Sequence, residues 1–363
     1  MKKLFVLFAG LCLLCCAALP AQAKITLKVA NSGPENLDNR TVRAGDIFSS
    51  VVSRESKGEL ELVFYHASKL GAEREALEGI QMGTIQMGTL TSGPVPGFFP
   101  PVMFFDIPYL LGSNAAAWEF LKSDFVKKFC EAFRQKTGVR ILAVAENGFR
   151  HFTCKGRDLR SPADMKGLKI RTMESPAHMA MVKALGADPT PLAFSELYMA
   201  LQQGVVDGME CPIALIYDMK FYEVQTNMVK DGHFYNPMIV FINDNVFSKL
   251  TPAQQAALQK GAEAFTVAHA GFNQLTNRIA LADLAKKGMK IHTPTAEELL
   301  QFRNIAQPAA MKFIEEKIGK DWVQGALAAA AAADAKVKGQ EDKIVNDTIA
   351  RAEAMLKEAR GTK

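Results

Sequence analysis

The sequence predicts an α/β protein of at least two domains with a long helical C-terminal region. Strand-like and helix-like segments alternate at short spacing near the start of the chain, an order that favours parallel strands joined by helices. The chain has 363 residues, a length that exceeds the usual size of a single hydrophobic core. From Thr251-Pro252 onwards the apolar residues recur with a helical period. These three features together define the fold class.

The first 23 residues have the pattern of a secretory signal peptide. Two lysines precede an uninterrupted apolar run over residues 4–19, and the small residues Ala21 and Ala23 suit the expected cleavage position. A membrane anchor is the less favoured alternative, because the run is shorter than the ~20 residues that span a bilayer. Lipidation of a leader cysteine is a further alternative, although no small residue precedes any of them. We therefore expect an exported chain that begins near Lys24.

The composition argues against several classes of partner. Without its leader the chain keeps 41 basic and 38 acidic residues, a net charge of +3. This near balance argues against nucleic acid as the main partner. Beyond the leader the cysteines are Cys130, Cys154 and Cys211, whose number and spacing fit neither a disulfide framework nor a metal site. The six histidines are scattered as well, so we expect no metal and no cofactor.

The first third of the chain predicts three strands with two intervening helices. Polar and apolar residues alternate over residues 24–29, and a helix is expected over residues 40–57. A second strand over residues 59–65 precedes a short helix and a third strand within residues 74–93. Residues 93–111 contain too many prolines to form one regular element.

The middle of the chain predicts further strands, each followed by a helix. Residues 138–154 read as two strand pieces joined at residues 146–148, where we expect the chain to cross between domains. A strand that contains Arg171 leads into a helix that begins at Ser175-Pro176. Ser195 is the expected N-cap of the next helix. The alanines at positions 328–333 then continue the helical region by propensity.

Catalytic motifs are missing from the sequence. It contains neither the G-x-S-x-G elbow of serine hydrolases nor the G-x-x-x-x-G-K-[ST] loop that binds phosphates. Asp207 and Glu210 form a carboxylate pair, but a single pair at this spacing is common by chance. We therefore expect a protein that is not an enzyme.

Two arginines are the better candidates for a functional site. An arginine stays charged, and its planar fork fits a carboxylate through two parallel hydrogen bonds. Arg150 and Arg171 both lie at strand edges, where α/β proteins place ligand contacts. A surface arginine that is paired with an acid remains the alternative interpretation for each.

Six segments of the chain occur in an order that resembles a known family. The segments are SKLGAEREALEGIQMGTIQMG, FFDIPYLL, ENGFRHFT, DMKGLKIRTMESP, ALGADPTPLAFSELYMALQQGVVDGMECP and KFYEVQ. They resemble the periplasmic substrate-binding proteins of tripartite ATP-independent periplasmic (TRAP) transporters, in particular the dicarboxylate-binding type. The resemblance extends from about residue 24 to residue 322.

The resemblance implies a two-domain flytrap with a ligand cleft between its domains. It implies a periplasmic monomer that binds a small organic acid and delivers it to TRAP membrane permease subunits. A module that signals to a membrane sensor and an exported enzyme acting on acidic substrates remain alternatives. The expected divisions are a signal peptide (1–23), domain I (24–147 plus about 237–276), domain II (148–236 plus about 277–335) and a C-terminal helical tail (336–363).

The resemblance also implies which residues bind the ligand. Arg171 matches the family's carboxylate-binding arginine, and Arg150 matches a second ligand contact. Glu73 or Glu75 matches a cleft glutamate, and Phe194 matches a cleft aromatic residue.

Three further positions complete the expected site. Asn31 matches another cleft position, and Asn236 is an additional polar candidate. Cys211 stands where sialic-acid-binding members have an asparagine, and a thiol is a weak hydrogen-bonding group. We therefore expect less polar contact on that side and a ligand other than sialic acid.

Overall fold

A computed structural model describes residues 24–361, which form ten β-strands and thirteen α-helices. The predicted signal peptide lies outside the described residues. The strands are β1 (Ile25–Asn31), β2 (Leu60–Tyr65), β3 (Met87–Thr91), β4 (Val139–Cys154), β5 (Lys169–Thr172), β6 (Asp188–Pro191), β7 (Gly208–Pro212), β8 (Asn227–Val229), β9 (Phe234–Asn243) and β10 (Lys290–His292). The helices are α1 (Arg40–Glu55), α2 (Glu73–Met82), α3 (Asn114–Leu121), α4 (Asp124–Thr137), α5 (Pro162–Met165), α6 (Pro176–Ala184), α7 (Leu197–Gln202), α8 (Ile213–Asp218), α9 (Asp244–Ser248), α10 (Pro252–Lys286), α11 (Ala296–Ile318), α12 (Lys320–Val337) and α13 (Glu341–Gly361).

Eight strands form the main path of one mixed sheet in the order β2-β1-β3-β9-β4-β7-β5-β6. The predicted parallel pairing is confirmed for β1 with β2 and with β3, and β5 is also parallel to β6 and to β7. The long antiparallel pair of β4 and β9 joins these two halves. The carboxyl ends of β1, β3, β5 and β7 therefore point toward the same region beside the middle of β4.

The first helix follows from its sequence pattern. The side chain of Asn39 accepts a hydrogen bond from the backbone N–H of Thr41 and caps α1. Ile47, Phe48 and Val52 recur at helical spacing and are buried in the core. The capping side chain thus fixes where α1 begins, close to the end of β1.

The prediction of two strand pieces over residues 138–154 is wrong, because β4 is a single strand of 16 residues. Its pairing with β9 shifts register between Glu146 and Gly148. Gly148 has a φ of 117°, which side-chain-bearing residues rarely adopt. A bulge at this glycine bends the strand and redirects its side chains without ending the pairing.

The prediction that Ser195 caps the next helix is also wrong. Ser195 lies inside a 3₁₀ turn over Phe194–Glu196 that precedes α7, and within residues 24–361 the start of α7 has no side-chain cap. In contrast, the helix expected at Ser175-Pro176 is confirmed as α6, although the hydroxyl of Ser175 donates to Asp106 instead of capping it.

The predicted helical C-terminal region is confirmed, and α10 alone has 35 residues. Thr251 and Gln254 form a capping box at its start. Helix α13 packs along α10, where the backbone of Thr348 and the side chain of Ala352 lie against Gly271. Within residues 24–361, none of the helices combines the length and the hydropathy that a membrane span requires.

Candidate functional site

A cavity of about 30 Å³ lies where the strand ends of the two half-sheets meet. Its charged and amide side chains are Arg40, Glu73, Asn147, Arg150 and Arg171. Its less polar walls include Met173, Phe194, Cys211, Leu215 and Met238. This volume has room for about two water molecules. A larger ligand therefore requires the surrounding walls to move apart.

Arg171 is buried in the cavity wall, with only 3% of its surface exposed. Its Nε and Nη2 donate to the carbonyl oxygen of Leu192 at 3.0 and 2.7 Å. Burial lowers the pKa of Arg171, and the charge of Glu210 only partly opposes this effect. Among residues 24–361, no carboxylate forms an ion pair with this guanidinium. Arg171 therefore places a positive charge at the cavity, and its hydrogen bonds to residues 24–361 go to a neutral carbonyl.

Arg150 also lines the cavity, but its charge is balanced. It forms a buried ion pair with Glu210 through two nitrogens, and its Nη1 donates to Oδ1 of Asn236 at 3.2 Å. Burial works against the charged form of Arg150, but the negative charge of Glu210 outweighs burial and raises its pKa. β4 and β7 pair directly here, so the sheet itself holds the two charges together.

Two histidines lie on either side of Glu210, and each also contacts an aspartate. His178 lies 3.0 Å from Asp106 and 3.6 Å from Glu210. His233 lies 2.8 Å from Asp231 and 3.6 Å from Glu210. These side chains are all buried, and the two histidines alternate with the three carboxylates in one cluster that adjoins Arg150.

The protonation of this cluster follows from its charges. Burial works against the charged form of His178, but the nearby carboxylates of Asp106 and Glu210 outweigh burial and raise its pKa to about 9. The same balance raises the pKa of His233 beside Asp231. Burial alone would raise the pKa of Glu210, yet Arg150 and both histidines hold it well below its usual range.

Arg40 is a cavity residue that the sequence patterns did not indicate. It is the first residue of α1, is 2% exposed, and forms an ion pair of 2.6 Å with Asp218 of α8. Its Nη2 also donates to Oδ1 of Asn147 at 3.0 Å, and Asn39 donates to the same carboxylate oxygen of Asp218 at 2.8 Å. Arg40 and Asp218 therefore connect α1, which follows β1, to α8, which follows β7.

Glu73, Phe194 and Cys211 also line the cavity. The carboxylate of Glu73 accepts hydrogen bonds from the backbone and hydroxyl of Thr91 and from the hydroxyl of Ser32. The ring of Phe194 packs edge-on against another phenylalanine ring. Burial raises the pKa of Cys211, so its thiol stays neutral and adds little polarity. The structure thus brings these three predicted residues together with Arg150 and Arg171.

Asn31 and Asn236 do not line the cavity, in contrast to the expected direct contacts. Asn31 donates to Thr89 of β3 and accepts bonds from His66, just after β2, and from the backbone of Gly33, so its amide links the ends of three neighbouring strands. Asn236 binds Arg150 instead, together with two other side chains. Both amides hold cavity-lining groups in position from behind.

The ion pair of Arg40 and Asp218 could not be predicted from local sequence patterns. Asp218 lies 178 residues from Arg40, and neither residue belongs to a motif that the sequence analysis used. One indirect signal exists, because an arginine in the first turn of a helix opposes the positive end of the helix dipole. An acidic side chain from another element can offset this unfavourable interaction by pairing with the arginine.

The fold and site define a class of protein. Two half-sheets joined by long strands surround a buried cavity with an arginine that lacks a counterion among residues 24–361, an arrangement suited to reversible binding of an anion. The sequence profile of the DctP family, described as bacterial extracellular solute-binding protein, family 7, matches residues 36–317. The chain belongs to this family, which comprises binding components of transporters rather than enzymes.

Individual relatives agree with this assignment. A solute-binding protein of Verminephrobacter eiseniae (strain EF01-2) is 36% identical over 271 residues, which cover 75% of this chain and 80% of that protein. The C4-dicarboxylate-binding periplasmic protein DctP of Rhodobacter capsulatus is 30% identical over 290 residues, with 78% and 85% covered.

Solved structures confirm the predicted two-domain binding-protein fold. A TRAP periplasmic solute-binding protein from Polaromonas sp. JS666, bound to D-erythronate, has a TM-score of 0.79 at 31% identity and covers 84% of this chain and 99% of its own. The sugar acid-binding protein of Advenella mimigardefordensis, in complex with galactonate, has a TM-score of 0.82 at 27% identity, with 86% and 99% covered.

Proposed function

We propose that the protein is the extracytoplasmic solute-binding subunit of a TRAP transporter and binds a small organic acid in the cavity. The observation that carries this proposal is Arg171, a buried guanidinium whose direct contact is a neutral carbonyl. A ligand carboxylate supplies the missing negative charge. Each charge-assisted hydrogen bond contributes about 1.5–3 kcal/mol, so a few such bonds and some apolar contact account for the ~8 kcal/mol of micromolar binding.

Binding is coupled to closure of the cavity in this proposal. Domain I (24–147 plus about 237–276) and domain II (148–236 plus about 277–335) move apart to admit the acid and close around it. The ligand favours the closed state only as far as it binds that state more tightly. The closed, monomeric protein then delivers the acid to the membrane permease subunits, after export to the periplasm directed by residues 1–23.

Ligand-induced stabilisation against heat tests this proposal. The mature protein is unfolded in the presence of D-erythronate, galactonate, succinate and the neutral amides of these acids. We expect acids alone to raise the melting temperature, since ligands stabilise the state that binds them. Arg171→Ala removes the effect, whereas Arg74→Ala, a change at an exposed arginine of α2, preserves it. Equal stabilisation by amides, or an unchanged response of Arg171→Ala, contradicts the proposal.

A further inference from the structure

The three arginines of the cavity differ in how their charges are balanced. Arg150 is paired with the buried Glu210, and Arg40 is paired with Asp218. Arg171 forms no ion pair within residues 24–361 and donates to the carbonyl oxygen of Leu192. Of three positive charges at the cavity, one is therefore left for the ligand.

We propose that Asp218 limits the ligand to one carboxylate by neutralising Arg40, so that the site selects hydroxylated monocarboxylic acids over the matching dicarboxylic acids. This inference rests on the proposed function, because it describes the second end of an acid whose first end binds Arg171. Asp218 is then a specificity-determining residue, although it is not itself part of the cavity wall.

The geometry of Arg40 makes this neutralisation effective. Its guanidinium is 2% exposed, so solvent screens its charge little, and Asp218 lies 2.6 Å from its Nη1. The side-chain amide of Asn39 donates to the same carboxylate oxygen at 2.8 Å. The Nε of Arg40 has no hydrogen-bond partner among residues 24–361. Removal of the Asp218 charge therefore leaves a buried cation at the cavity that lacks a counterion in this part of the chain.

Glu73 also disfavours a ligand that carries a second carboxylate. Its carboxylate lines the same cavity and is held in place by Thr91 and Ser32. Carboxylate oxygens accept hydrogen bonds from hydroxyl groups but repel a second carboxylate. A ligand with one carboxylate and several hydroxyl groups therefore satisfies both Arg171 and Glu73, whereas a second carboxylate meets one repelling charge and no unpaired arginine.

Matched pairs of acids test this inference. Galactonate and galactarate share one carbon skeleton, and they differ in having a terminal hydroxymethyl group or a second carboxylate. Erythronate and meso-tartrate form a shorter pair with the same difference. We expect the wild-type protein to bind the monocarboxylate of at least one pair about tenfold more tightly or better in calorimetry at pH 7.5. In Asp218→Asn this preference falls by about tenfold or reverses, because Arg40 becomes available to the second carboxylate.

Two variants isolate the role of the charge. The double variant Arg40→Gln/Asp218→Asn lacks both members of the pair, and we expect the wild-type preference to return. Asp188→Asn removes an equal charge from an exposed position on β6 and is expected to change nothing.

The outcomes separate this inference from the proposed function. Wild-type preference for the dicarboxylates, or a preference that Asp218→Asn leaves unchanged, overturns the inference while acid binding at Arg171 stands. If no acid binds in a manner that depends on Arg171, both fail. The wild-type preference is measured without any variant, so the test does not depend on the folding of Asp218→Asn.

Discussion

At the scale of single residues, the buried pair of Arg150 and Glu210 has the largest energetic consequence. Arg150 is 2% exposed and Glu210 is fully buried, so neither charge is hydrated when its partner is removed. Breaking such a pair costs about 3–5 kcal/mol, chiefly because one ion stays buried alone. The pair therefore fixes the position of Arg150 in the cavity wall rather than adding much stability beyond an apolar substitute.

We predict that Glu210→Gln lowers the free energy of unfolding by about 3–5 kcal/mol, measured by urea denaturation at pH 7. The control is Glu78→Gln, which breaks an exposed pair with Arg74 on α2. An exposed pair of this type contributes about 0.3–0.5 kcal/mol. Similar losses in the two variants would show that Arg150 gains other partners when Glu210 is replaced.

Sequence patterns indicated two of the three arginines that line the cavity. Arg171 lies within the short strand β5, and Arg150 lies two residues after Gly148 within β4. Local pattern and family resemblance therefore both pointed to them. The pairing of Arg40 with Asp218 depends on how α1 and α8 approach each other. Sequence patterns report periods along one element, and they do not report which charges meet across a cavity.

At the scale of elements, the crossing of α10 and α13 depends on one glycine. A methyl group added at Gly271 would lie 2.5 Å from the Cβ of Ala352 and 2.7 Å from the carbonyl oxygen of Thr348. Carbon atoms in contact prefer separations of about 3.5–4.0 Å. The glycine therefore permits the two helix backbones to approach each other closely.

We predict that Gly271→Ala lowers the free energy of unfolding by about 1–3 kcal/mol, although alanine is the better helix former. Ala352→Gly removes the nearest contacting atom, so the double variant should lose less than the sum of the two single variants. Urea denaturation of all four proteins measures this coupling. Additive losses would mean that the contact with Ala352 does not cause the loss in Gly271→Ala.

Helices and strands were predicted correctly where the apolar residues recur with a single period, and incorrectly where a bulge or a 3₁₀ turn interrupts the regular structure. The helix α1 and the parallel strands β1 to β3 were predictable because apolar residues recur at one spacing. The bulge in β4 was read as a break, since Gly148 signals a turn and a bulge equally well. The choice between them is made by β9, which pairs with both sides of the bulge and is distant in sequence.

At the scale of the whole molecule, the buried histidines set how stability depends on pH. His178 faces Asp106 and Glu210, and these carboxylates raise its pKa to about 9 against the opposing effect of burial. A raised pKa means that the folded protein holds a proton that the unfolded chain releases near its ordinary value of about 6.5. This stabilisation is complete below pH 6.5 and disappears as the pH rises toward 9.

We predict that the free energy of unfolding falls by on the order of 2 kcal/mol between pH 6.5 and pH 9, measured by urea denaturation at several pH values. His178→Gln should flatten this decline only in part, because Asp231 and Glu210 also raise the pKa of His233. His66→Gln is the control: burial lowers the pKa of His66, so the folded protein holds no extra proton there and this change is not expected to flatten the decline. An unchanged decline in His178→Gln would mean that His178 is neutral at pH 6.5, and that Asp106 and Glu210 are not balanced by its charge.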